Sequence, residues 1–363
     1  MSQHSETLPA WTIATPLLGW LLLAGSAAGL SLGGFYPALL AAGLLAGVVA
    51  AVHHAEVVAH RVGEPFGTLV LAGAITAIEV ALIVTLMVSG GEATSALARD
   101  TIFATVMIIL NGIVGLCLLA GGRKHGEQRF TLRGVNAALS TLVAIIGLTL
   151  ILPNFTTTIV GPYYNARQLG FVAVSSLVLY GAFVFVQTVR HRDYFLPENA
   201  AADEDAHAAP PSNKVALASL LCLVVGLVSV VLLAKSISPM IEAGVAAVGA
   251  PAALVGVIIA SIVLMPEGLA AWRAARADRL QTSLNLALGS ALASIGLSIP
   301  AVAIVSILNG WPLALGIDAK STVLLSLSMM VAILSLGLGR TTILQGVVHL
   351  VLFATYLFMT IFP

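Results

Sequence analysis

Glu79, in ITAIEVALIV, and Glu267, in IVLMPEGLAA, are carboxylates set well inside apolar segments, whereas most of the sixteen Asp and Glu residues fall in polar stretches or at segment ends. No Lys or Arg lies at comparable depth. Holding a charge in a bilayer core costs at least about 2.5 to 3.5 kcal/mol, so such groups face a cavity and mark an ion or proton path. The plainer alternative is that each glutamate stays protonated and hydrogen-bonds a neighbouring helix.

Two carboxylates that meet in a low-dielectric site each disfavour ionisation of the other, and both then hold protons near neutral pH. A cation entering between them favours the ionised forms and expels the protons. Cation and proton occupancy become mutually exclusive, which is the minimum requirement for exchange. Two carboxylates match one divalent ion, so Ca²⁺ against two H⁺ is the simplest electroneutral cycle, whereas Na⁺ or K⁺ would displace about one proton. Ca²⁺ takes six to eight oxygen ligands and two glutamates supply at most four, so other oxygens must complete the shell.

Thr76, one turn from Glu79, and Asn111, Asn285, Ser290 and Ser294, in the segments after the two glutamates, are the candidate supporting ligands. Each of these types also serves simply to join membrane helices. Pro266 directly precedes Glu267, and Pro65 with Gly67 opens the Glu79 segment, so kinked or broken backbone there is expected to offer carbonyls. His53, Glu56 and His60 fall at helical spacing and would share one face, giving a candidate proton entry or pH-sensing group. The alternative for them is a solvated helix end, and His349 reads as a packed or helix-linking residue.

The elements that must position these groups are membrane helices. Of 363 residues, 59% are hydrophobic and only 9% charged, against about 25% charged in a soluble domain. Windows of about 20 apolar residues, the length that crosses a bilayer, recur at approximately 11–30, 35–54, 66–89, 101–121, 135–153, 168–189, 215–235, 250–271, 283–308, 320–338 and 343–361. The fold class is therefore an all-α integral membrane protein of about eleven transmembrane helices. Cys117 and Cys222 lie in apolar runs, which argues against a disulfide framework or zinc site. Equal numbers of acidic and basic residues give no basic field for nucleic acid. The expected partners are cations, protons and the lipid bilayer.

Positive residues accumulate in cytoplasmic loops. With eleven spans, all of the sixteen Lys and Arg except Arg99, Arg167, Lys235 and Lys320 fall on the N-terminal side. That side is expected to be cytoplasmic and the C-terminus periplasmic, in a bacterial inner membrane or its equivalent. The polar stretch 191–214, with Asp203, Glu204 and Asp205, reads as a cytoplasmic acidic linker. It divides the chain into a segment 1–34 with the first span, a five-helix repeat 35–190, and a second five-helix repeat 215–363. An odd number of spans per repeat inverts one against the other, and the second span of each carries a glutamate.

The segments GEPFGTLVLAGAITAIEVALI (63–83), SIVLMPEGLAAWRAARADRLQTSLNLALGS (261–290) and HLVLFATYLFMTIF (349–362) resemble ChaA-type calcium/proton and sodium-potassium/proton antiporters of the calcium/cation antiporter superfamily. The resemblance runs over essentially the whole chain. It implies two inverted repeats, each with an essential acidic residue, and by motif position these are Glu79 and Glu267. Many members carry Gly-Asn-x-x-Glu in both repeats, whereas Thr76 and Leu264 stand at the Asn positions here. Gly289 and Ser290 match the helix after the second motif, and Ala293 stands where calcium-selective relatives often place Gln.

Two other classes compete with a secondary cation/proton antiporter that has no cofactor beyond its transported ions. A passive cation channel also lines its path with acidic side chains. A membrane-embedded enzyme would need a ligand or nucleophile cluster, for which the sequence offers only His53, His54, Glu56 and His60. No P-loop or other nucleotide motif is present, so an ion gradient is the expected energy source.

Overall fold

The computed structural model describes residues 8–29, 35–63, 66–196, 210–251 and 253–362. The acidic run Asp203–Asp205 and Pro65 lie outside them. Among the described residues, eleven helices are long and apolar enough to cross a membrane. In chain order they are α1 (Ala10–Ala27), α2 (Phe35–Val62), α3 (Phe66–Gly90), α4 (Leu97–His125), α5 (Leu132–Phe155), α6 (Ala166–Arg190), α7 (Asn213–Ala247), α8 (Ala253–Arg276), α9 (Leu280–Asn309), α10 (Ala319–Leu336) and α11 (Ile343–Ile361). The expected all-α membrane architecture is thus present.

Two elements run further than the hydropathy pattern indicates. α2 continues to Val62 rather than ending near residue 54, and α7 continues to Ala247 rather than 235. In both places apolarity falls while Ala, Val, Ile and Glu keep supplying helix-compatible side chains, so the backbone ladder outlasts the apolar run. α7 consequently carries Lys235 and Glu242 on the helix itself, and Glu242 accepts a 3.0 Å hydrogen bond from Ser238 beside Pro239.

The chain forms two compact units, each drawing on both halves of the sequence. Unit 1 comprises Met1–Thr85 and Ala206–Val255; unit 2 comprises Leu86–Asp205 and Gly256–Pro363. In unit 1, α2 packs along α7, and α1 packs on both. The seam is made of small residues: a Cβ on Gly47 would sit 3.0 Å from Val230, and one on Gly19 3.2 Å from Ser229 Oγ. Small residues at such seams let membrane helices approach closely, since lipid supplies little hydrophobic drive between helices.

In unit 2 the most enclosed helices are α4 and α9, which follow the two glutamate-bearing helices in sequence. Their apolar cores are 83% and 67% buried, against 22% for the peripheral α11. α9 packs against α4, α5 and α6, and α11 packs along α4. Large apolar side chains such as Phe171, Val174, Leu308, Val323 and Leu344 point outward. A surface of that kind suits lipid and not water.

The loops of unit 2 fasten to one another in two sets. A two-stranded sheet pairs β1 (Gln128–Arg129), between α4 and α5, with β2 (Arg340–Thr341), between α10 and α11. On that same end Lys124 donates to the Arg276 carbonyl at 2.9 Å, and Gln128 to the Ala275 carbonyl and Asp278 at 3.0 and 2.8 Å. The other set joins Ala314 to Ser95, Leu315 to Pro162 and Ile317 to Leu150 through backbone hydrogen bonds of 2.9–3.0 Å. Loops sorted to one side by the Lys and Arg pattern are thus bonded to each other, as the alternation of spans requires.

Candidate cation and proton site

Glu79 sits in the middle of α3, is 6% exposed, and has Thr76 (5% exposed) one turn before it. Both belong to unit 1. Helical spacing places the hydroxyl and the carboxylate on one face. α3 is a continuous helix from Phe66, so the expected break near the start of this segment is not seen in the described residues. The backbone there is instead tightly packed, with a Cβ on Gly67 falling within 3.1 Å of the Ala59 carbonyl carbon.

Glu267 lies in unit 2 on α8, half-buried, and accepts a hydrogen bond from the Ser290 hydroxyl of α9. This contact joins two of the residues singled out from sequence. Ser294 stands one turn further along α9 and is 1% exposed. α8 is likewise unbroken, with Pro266 inside it. Proline has no N–H, so the Ile262 carbonyl one turn earlier is left without its helical donor. The expected break in the backbone is not seen there. Gly268, directly after Glu267, permits close approach to α4: a Cβ there would stand 3.2 Å from Ile113 Cδ1.

The two asparagines have other engagements. Asn111 is fully buried in α4, donates to Ser328 at 2.8 Å and turns its carbonyl oxygen toward His349 at 3.4 Å. Asn285, near the start of α9, donates to the Phe195 carbonyl at 2.5 Å and accepts from Gln281 at 2.9 Å. It fastens the stretch after α6 to α9. Both fit the helix-joining alternative.

His53, Glu56 and His60 all lie on α2, the first half-buried and the other two exposed. The fully buried histidine of that helix is His54, whose Nε2 lies 3.0 Å from the Thr12 carbonyl of α1. Trp11 packs on His53 with ring centroids 5.6 Å apart. A feature that sequence reasoning missed is a π-helical turn, Ile108–Ile113, inside α4. Such turns cluster at functional sites, and this one contains both Asn111 and the Ile113 that meets Gly268. Hydropathy carries no signal for it.

Membrane helices with a hydroxyl-supported carboxylate in one unit and a buried carboxylate in the other are features expected of an ion carrier. The comparisons narrow the class. The model of the sodium/calcium exchanger protein family matches residues 31–189 and 218–362, and the chain belongs to this family of cation exchangers. It is 47% identical to the protein y4hA of Sinorhizobium fredii over 99% of this chain and 98% of that one. It is 35% identical to the sodium-potassium/proton antiporter ChaA of Escherichia coli, over 88% of this chain and 87% of that one. The solved structure of an H⁺/Ca²⁺ exchanger, CAX, superimposes with a TM-score of 0.71 at 14% identity, covering 96% of this chain and 87% of that one. That likeness is one of fold. By name these relatives are transporters.

Proposed function

We propose that the protein exchanges Ca²⁺, Na⁺ or K⁺ for protons across a bacterial inner membrane by alternating access, with Glu79 and Glu267 as the shared cation and proton sites. The observation that carries this reading is the pair of intramembrane glutamates at the second span of each half, one of them held by Ser290. Kinship with a sodium-potassium/proton antiporter supports it.

In this account a proton on each carboxylate lets the site cross the barrier without a cation, and a bound cation lets it cross without protons. The empty, doubly ionised site stays put, because isolated charge in a low-dielectric interior is costly. Thr76, Ser290, Ser294 and the Ile262 carbonyl are the oxygens proposed to supplement the carboxylates. One Ca²⁺ against two H⁺ leaves the site electroneutral in both states. The chain order proposed for this cycle is the segment 1–34 followed by inverted repeats 35–190 and 215–363, joined by the linker 191–214. The N-terminus is placed in the cytoplasm and the C-terminus in the periplasm.

The test is exchange in vesicles holding a trapped pH dye. With the interior acid, Ca²⁺, Na⁺ or K⁺ is added outside in turn. Dye recovery that needs a cation and is lost in both Glu79→Gln and Glu267→Gln is the expected result. Recovery that survives both substitutions, or an ohmic cation current in place of saturable exchange, refutes the two-glutamate carrier and returns the channel reading.

A further inference from the structure

Unit 2 contains a second polar centre, apart from Glu267. Asn111 of α4, Ser328 and Ser335 of α10, and His349 of α11 come together in its interior, and Asn111, Ser328 and His349 are 0% exposed. Buried polar groups are tolerated where each finds a partner. Asn111 donates to Ser328 at 2.8 Å, and Ser328 donates to the Leu324 carbonyl at 2.7 Å. His349 Nε2 lies 2.8 Å from Ser335 Oγ, and Nδ1 lies 3.4 Å from Asn111 Oδ1.

The acceptor on the α4 side points to one tautomer. The side of the ring toward α4 meets Asn111 Oδ1, which only accepts, whereas Nε2 meets a hydroxyl that can turn. A neutral imidazole carries one N–H. Placed on Nδ1, it is donated to Asn111 Oδ1, and Ser335, whose hydroxyl lies 2.6 Å from the Val331 carbonyl, turns its proton from that carbonyl to Nε2. Placed on Nε2, it would leave the Nδ1 lone pair aimed at oxygen.

Leu110 and Asn111 sit within the π-helical turn Ile108–Ile113, where the regular ladder of α4 is interrupted. Ile113, the last residue of that turn, is the one that packs on Gly268 beside Glu267. α11 can come close enough to act on the turn because Gly115 lacks a side chain: a Cβ there would stand 3.0 Å from His349 Cβ. A continuous line of contact therefore runs from His349 through the π-turn to the helix that carries Glu267, all within unit 2.

We propose that His349 is a positioning residue for exchange, donating from Nδ1 to the π-turn of α4 and so holding Ile113 against the Glu267 helix. The inference rests on Glu267 being an exchange residue.

The ring can be replaced one nitrogen at a time. In His349→Asn the carboxamide N–H₂ falls near the place of Nδ1; in His349→Gln it reaches toward that of Nε2. In the vesicle assay His349→Asn is expected to keep the half-saturating cation concentration within about threefold of the parent. His349→Gln and His349→Leu are expected to raise it about tenfold, the size of one net hydrogen bond, with the maximal rate little changed. A mere link between α10 and α11 through Ser335 predicts the reverse ranking, and that ranking overturns the proposal. So does a lowered melting temperature with unchanged half-saturation in all three variants. Exchange that survives Glu267→Gln overturns the site reading together with the role of His349, whereas a reversed ranking with Glu267→Gln inactive overturns the role of His349 alone. A second measurement is independent of transport: ¹⁵N spectra of histidine-labelled protein, with the His349 signal identified by its loss in His349→Leu. A neutral ring protonated at Nδ1 is expected, and one protonated at Nε2 refutes the donation to α4.

Discussion

Replacing Ser290 by Ala removes the hydroxyl that donates to Glu267 and nothing larger, because Ser290 is 9% exposed and the helix around it is continuous. A hydrogen bond to a charged group contributes about 1.5 to 3 kcal/mol. Glu267 is only half-buried, so the lower figure of about 1.5 kcal/mol is taken. The hydroxyl donates to the carboxylate, and the ionised carboxylate is the form that binds a cation. Loss of the hydroxyl therefore lets protons compete better, and the half-saturating cation concentration at fixed pH rises about tenfold. The part of the difference that comes from proton competition should shrink as the pH is raised, and the part that comes from the lost ligand oxygen should remain. The assay is cation-dependent proton efflux from vesicles over a series of cation concentrations at two pH values. A half-saturating concentration that is unchanged in Ser290→Ala at both would show that the hydroxyl does not act on the exchange site.

Three further outcomes follow from the same geometry. Gly115→Val would drive methyl groups into His349 and Leu350, whose nearest atoms stand 3.0 Å from the position of the new Cβ; overpacking of this kind costs about 1 to 3 kcal/mol and should lower the melting temperature in detergent. Asp318 caps α10 by accepting from the Ser321 N–H at 2.6 Å, so Asp318→Ala should cost about 1 kcal/mol at neutral pH. Burial pushes the Asp318 carboxyl up, but the Ser321 hydrogen bonds with Lys320 and Arg99 outweigh it and hold it below its ordinary value; the cap is then fully effective above the unfolded-state value and is lost as pH falls through the lower folded one, so parent and Asp318→Ala should converge in stability in acid. Gln128→Ala removes both bonds that tie the α4–α5 loop to Ala275 and Asp278, at about 0.5 to 1.5 kcal/mol each, which a melting curve would register.

The spans were legible because each is an apolar window of bilayer length, and Glu79 and Glu267 because carboxylates inside such windows stand out. Ser290 was legible only as a hydroxyl on the following helix; its meeting with Glu267 depends on how α8 and α9 pack, which no single window encodes. The far ends of α2 and α7 were missed because hydropathy marks the lipid-facing length of a helix and not its hydrogen-bonded length. The π-turn of α4 inserts a residue without changing composition, so it leaves no trace in periodicity over six residues. Asn111 and Asn285 illustrate the same limit from the other side. Their residue type announced a buried polar contact, but their partners, Ser328 and Phe195, lie 217 and 90 residues away in sequence.

The central claim is that cation and protons compete for the same two carboxylates, and it is tested most directly by counting protons released when the purified protein binds Ca²⁺ in weakly buffered detergent solution. Near neutral pH the account predicts release of about two protons per Ca²⁺, and a clear fall in that number in both Glu79→Gln and Glu267→Gln. Saturable Ca²⁺ binding with no proton release, or release undiminished in both variants, would contradict it.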